Sequence, residues 1–232
     1  HRPRSPETVL KNRYGDCKDK ALLLSRLLQR HGLQAWPALV STRFQKGIAG
    51  ELPSPGLFDH VITRLEFQGR KYWLDGTRRY QGGALDDIGR QDLGQALVIG
   101  DSGNGLEKMY DTLPPLRTLS IEEHYYAQDF NGPVRLEMTT TFHGNAAESQ
   151  REYFSNRPLT EIRKAWANFS SQYHDELRVL KPLEYEDDLK GNRFIVREYY
   201  QLDAFWKPDS ENDAKFVKAP FVLAGYADIL RA

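Results

Sequence analysis

A single cysteine, Cys17, stands among 232 residues. One thiol excludes an internal disulfide and a zinc site built from several cysteines. It leaves the redox compartment open, because one free thiol is compatible with either environment. An excess of charge of one sign is missing as well. The 32 basic residues balance 32 acidic ones, so no net field draws the chain to nucleic acid or to an anionic membrane surface. No apolar run in the sequence is long enough to cross a bilayer, which argues against membrane insertion, and no stretch reads as a signal peptide. The first residues are His1-Arg2-Pro3-Arg4, without an initiator methionine, so the sequence is expected to be a piece of something longer. His124, His143 and His174 are scattered, with no carboxylate at metal-ligand spacing, so no metal or other cofactor is expected. What is present is a 40% apolar and 12% aromatic composition, enough for one large domain or two ordinary ones.

Ser5-Pro6-Glu7 reads as a helix start, with Ser at the cap, Pro at the first helical position and an acid in the first turn. That helix is expected to end near Arg13. A second begins near Asp16 and runs to His31, with Gly32 as its stop. Ala21, Leu24 and Leu28 follow Cys17 at helical spacing and Leu27 widens the stripe, which puts Cys17 on the buried side at the helix tip. Residues 35–42 read as a strand in which Pro37 implies an edge or a bulge. Residues 58–67 and 70–75 read as a hairpin around Gln68-Gly69. Between residues 77 and 115 the pattern is irregular, with turns at Gly82-Gly83 and at residues 100–105. Those last residues lack the Gly-Lys-Ser/Thr ending of a phosphate loop. Pro114-Pro115 marks the expected domain boundary.

After it the pattern changes. Val134, Leu136, Met138, Thr140 and Phe142 alternate with polar residues, as in a half-buried strand, and Ile121 lies in a partner strand before it. Leu159, Ile162, Trp166, Phe169 and Tyr173 recur at helical spacing and read as core. Two more strands are expected near residues 177–185 and 193–202.

The chemistry-bearing residues are Cys17, His60 and Asp75. A thiol attacks as thiolate, which the unpaired amides and partial positive charge of a helix N-terminus favour. Lys18 and Lys20 add to that field while Asp16 and Asp19 oppose it; Asp16 reads as a cap, and residues 18–20 as a solvated first turn. A histidine can take the thiol proton, and a carboxylate can orient the imidazole and stabilise its cation. If Phe67 and Arg70 flank a two-residue turn, facing residues have numbers that sum to 137. Ile62 then faces Asp75, and His60 lies two residues along on the same face. Diagonal neighbours on one face sit roughly 7–8 Å apart, within side-chain reach. A slip of one residue would put the pair on opposite faces. Bland alternatives stand beside this: a core histidine at His60, and at Asp75 a turn residue closing on Gly76-Thr77.

The run Asn12-Arg13-Tyr14-Gly15-Asp16-Cys17-Lys18-Asp19-Lys20-Ala21, followed by His31-Gly32, resembles the transglutaminase-like superfamily. It is most similar to a bacterial branch that carries a β-rich domain ahead of the transglutaminase core. Phe58-Asp59-His60-Val61 and Tyr72-Trp73-Leu74-Asp75-Gly76-Thr77 resemble that family's histidine and aspartate strands. The resemblance covers roughly residues 1–80. It implies a papain-like core with Cys17 as nucleophile, His60 as base and Asp75 as orienting group, acting on peptide or protein amides through a thioester without a cofactor. It also implies that helices normally ahead of the proline-containing segment precede this sequence, and it favours a periplasmic or exported location.

The expected fold class is therefore α+β in two parts. Residues 1–115 form the C-terminal portion of a papain-like, transglutaminase-type core. Residues 116–232 form a smaller domain of two hairpins flanking one or two helices. Two other functions remain open on the sequence: a peptide-binding scaffold with a vestigial thiol, and a redox-sensing cysteine.

Overall fold

The computed structural model describes residues 2–100, 105–110, 118–208 and 217–218. The Pro114-Pro115 boundary and residues 101–104 of the glycine-rich turn lie outside them. The elements are mixed helix and antiparallel sheet, an α+β arrangement. The chain divides into two compact units, His1–Gln81 with Arg90–Leu116, and Gly82–Gly89 with Arg117–Ala232. Among the described residues no helix is long and apolar enough to cross a membrane.

The first unit opens with α1 (Pro6–Asn12), capped by Ser5, whose hydroxyl accepts from the Thr8 amide at 3.3 Å. Helix α2 (Cys17–Arg30) follows, and Gly32 behind it has φ +76°. Strands β1 (Gln34–Val40), β2 (His60–Phe67), β3 (Arg70–Leu74), β4 (Gln95–Val98) and β5 (Leu106–Lys108) make an antiparallel sheet in the order β3-β2-β1-β4-β5. The β2–β3 register pairs Phe67 with Arg70 and Thr63 with Leu74, the sum of 137. Gln68 and Gly69 both have positive φ, 52° and 71°, as a two-residue hairpin turn matched to strand twist requires. Ala38, Val40, Ile62, Trp73, Leu93, Ala96 and Met109 form the core.

Three expectations change here. Strand β1 is interior rather than an edge, yet Pro37 fits. Its ring nitrogen falls where the β1–β4 pairing ends, beyond Ala38↔Val98, and its carbonyl still accepts from the Ile99 amide at 2.8 Å. The missing donor thus costs one bond at the end of a ladder. Second, Leu27 is exposed and the buried ridge of α2 runs through Ala21 and Ser25. These small residues let the helix approach the sheet closely: Thr63 Oγ1 on β2 and Ser25 Oγ both donate to the Ala21 carbonyl, at 3.2 and 2.8 Å. Third, β4 and β5 arise in the stretch expected to be irregular.

In the second unit, β6 (Leu119–Tyr126), β7 (Val134–His143), β8 (Leu177–Asp188) and β9 (Arg193–Leu202) form an antiparallel sheet ordered β6-β7-β9-β8. Helices α3 (Asn145–Ser155) and α4 (Leu159–Ser170) lie between β7 and β8 in the chain. Val134 and Leu136 are fully buried with Tyr200, Leu202 and Phe205; Ala147, Leu183, Phe194 and Val196 make a second core group. The α4 stripe is only partly core. Ile162 is fully buried, whereas Phe169 is half exposed and, with Trp166 and Tyr173, walls a cavity.

Residues 82–89, which the sequence placed with the first part, are tied to the second unit by a closed polar network. Glu148 Oε1 accepts from the Gly89 amide (2.8 Å) and from Asn192 Nδ2 (3.1 Å), and Asn192 also donates to the Asp87 carbonyl (2.8 Å). Arg151 donates to Asn192 Oδ1 (2.7 Å) and Asp187 Oδ1 (2.6 Å). A side chain at Gly89 would put its Cβ 2.7 Å from Glu148 Oε1, so the glycine is what permits that approach.

Candidate functional site

The tip of α2 is built by a reciprocal cap. The Asp16 side chain accepts from the Asp19 amide, and the Asp19 carboxylate accepts from the Asp16 amide, both at 3.3 Å. Asp19 is not part of a solvated turn: it is 2% exposed and its other oxygen accepts from the Arg4 amide at 2.7 Å. Gly15 has no room for a side chain, since a Cβ there would lie 2.8 Å from the Asp19 Cβ. The chain is thus wound tightly around Asp19, which fixes where Cys17, the residue after the Asp16 cap, enters the helix. Cys17 is the first helical residue and half-buried. Its amide is among those that an α-helix leaves without an internal acceptor. Lys18 pairs with Asp16; that bond is the main cause that raises its ammonium above the ordinary value, and the charge of Cys17 adds to it.

His60 opens β2 opposite Val40 of β1. The residue before it anchors this start: Asp59 accepts from Thr42, from the amide at 2.7 Å and from the hydroxyl at 2.9 Å. These bonds overcome the upward push of burial and hold the Asp59 carboxyl below its ordinary range.

His60 Nε2 and Asp75 Oδ2 are 2.9 Å apart. The other Asp75 oxygen accepts from Thr77, from its amide at 2.9 Å and its hydroxyl at 2.6 Å. Asp75 therefore closes a turn through one oxygen and holds the imidazole through the other, so the two alternatives posed by the sequence are both realised in one residue. Burial pushes the Asp75 carboxyl up, and the hydrogen bonds from His60 and Thr77 more than offset it, leaving it below the usual range. His60 is pushed up to about 9. The hydrogen bond to Asp75 is the main cause, burial opposes it, and the Asp75 charge adds to it. Cys17 contributes further in the same direction. With Nε2 committed to Asp75, Nδ1 is the ring nitrogen left for exchange with the thiol.

His60 and Asp75 are thus bonded to each other, and Cys17, at the tip of α2, acts on the His60 titration. Thr77 and Asp59 were missed as supporting groups, although an Asp followed two residues on by Thr is a turn signal that could have pointed to Thr77. His124 and His174 belong to the second unit, on β6 and after α4, and the cluster belongs to the first. Among the described residues no group of three or more His, Cys, Asp or Glu side chains is placed to hold a metal ion. In class the protein is α+β, with a helix-tip thiol beside a carboxylate-bound imidazole. Comparison with models of known families, with curated proteins and with solved structures finds no match to the chain.

Proposed function

We propose that the chain is a cysteine-dependent acyl-transfer enzyme acting on amide bonds, with a papain-like, transglutaminase-type core in its first part. The observation that carries this is the 2.9 Å His60–Asp75 bond, on an imidazole that also interacts with Cys17 at a helix N-terminus. In the proposed reaction the Cys17 thiolate adds to an amide carbonyl, with the Cys17 amide as one donor to the developing oxyanion. The C–N bond then breaks, the imidazolium of His60 gives its proton to the departing amine, and a thioester remains on Cys17. Water or a second amine attacks the thioester as His60 takes the incoming proton; the C–S bond breaks, acid or new amide leaves, and the thiolate and imidazolium are restored. Asp75 keeps the imidazole oriented and its cation stabilised throughout.

p-Nitrophenyl acetate tests this independently of the natural substrate. Intact-mass measurement is expected to find one acetyl group per chain, attached at Cys17 and lost again in water, with none in Cys17→Ala. A chain that releases no p-nitrophenol above the Cys17→Ala background would favour the peptide-binding scaffold instead.

A further inference from the structure

The second unit contains a cavity of about 420 Å³ between its sheet and α4, within the range of small-molecule sites. Rings of Phe142, Tyr153, Trp166, Phe169 and Tyr173 line it. Its polar residues are Glu123 on β6, Glu198 on β9, His174 after α4, Thr140, Ser170 and the phenols Tyr153 and Tyr173. Glu198 is 3% exposed and His174 9%. The hydrogen bonds to Glu198 both fall on Oε1, from Tyr200 Oη and from Ser170 Oγ at 3.4 Å. Among the described residues none reaches Oε2 of this lining residue, so a buried carboxyl presents one oxygen with no protein partner. Neither Lys nor Arg is among the described residues of the lining.

We infer that this cavity is a binding site for an organic ammonium ion, an amine carried on an apolar body of roughly the size of a substituted aromatic ring. Aromatic faces attract cations, most strongly where water is excluded. Two carboxyls without a basic residue give the same preference, and a cation on Oε2 would offset the cost of burying Glu198. Burial holds the Glu198 carboxyl above its ordinary range and His174 below its own, so the imidazole is neutral near pH 7 and gives no anchor for an anion. The site is independent of the chemistry proposed for Cys17.

Calorimetric titration of the whole chain with three ligands of one shape tests it: phenethylamine, 2-phenylethanol and 3-phenylpropanoate. The amine is expected to bind about tenfold tighter than the alcohol, with the carboxylate weakest. Glu198→Gln, which preserves the shape and the acceptor for Tyr200 and Ser170, is expected to erase the advantage of the amine. If that variant does not fold, Phe169→Ala at a half-exposed wall position is expected to weaken the amine several-fold. Equal affinity for amine and alcohol, a preference for the carboxylate, no binding of any of the three, or an amine affinity unchanged in the variants would each overturn the inference.

Discussion

Two of the buried polar networks, one in each unit, are finished differently. In the second unit Arg151, Glu148 and Asn192 are each at most 4% exposed and bond to one another, to Asp187 and to the backbone of residues 87 and 89. That network is closed on the protein, which is what a buried polar group needs if it is not to cost stability. In the first unit Thr77 holds Asp75 and Asp75 holds His60. There the series ends on an imidazole whose titration is raised further by a half-buried thiol, instead of on another anchor. A closed network serves the scaffold; one that ends on an imidazole near a thiol is what the proposed proton transfer needs.

The difference can be broken from either side. Arg151→Ala should have the largest effect, destabilising the fold by about 3–5 kcal/mol because Asp187 and Asn192 lose their shared partner. It should leave Cys17 alkylation unchanged in the folded fraction; chemical denaturation and labelling, run in parallel, read both. Asp75→Asn should act the other way, costing less stability but moving the imidazole. The His60 titration, followed by NMR, is expected to fall from about 9 towards 6.5. A group raised on folding stabilises fully below its unfolded value near 6.5, and that contribution is lost as pH rises through about 9. Wild type should therefore lose stability relative to Asp75→Asn across that interval, and parallel curves would contradict the assignment. Thr77→Val should be the mildest, about 1 kcal/mol, with a smaller downward shift of His60, since the Thr77 amide still holds Asp75.

The hairpin that joins His60 to Asp75 was legible because Gln68-Gly69 fixes the register, and a period of two then decides which side chains meet. Helix caps were legible for a similar reason: Ser5 and Asp16 act through local bonds that sequence spacing describes. What escaped depends on distant partners. Strands β4 and β5 are four and three residues long, too short for alternation to register, and their pairing is with β1 and with each other. Helix α3 buries Glu148 and Arg151 between Ala147 and the core-packed Phe154, so its inward face mixes polar and apolar residues and shows no continuous apolar stripe. Asp19 read as a solvated acid because nothing in its neighbourhood announces that the Arg4 amide closes over it. The α4 stripe was seen, but periodicity does not distinguish rings that pack from rings that wall a cavity.

The central claim is that His60 activates Cys17. The most direct measurement is the rate of iodoacetamide alkylation of Cys17 near pH 7 in wild type and in His60→Ala. With an imidazole that takes the thiol proton, the wild-type rate should exceed that of the variant by about tenfold or more. Equal rates in two equally folded proteins would mean that the thiol owes nothing to its neighbour, and the acyl-transfer proposal would fall with it.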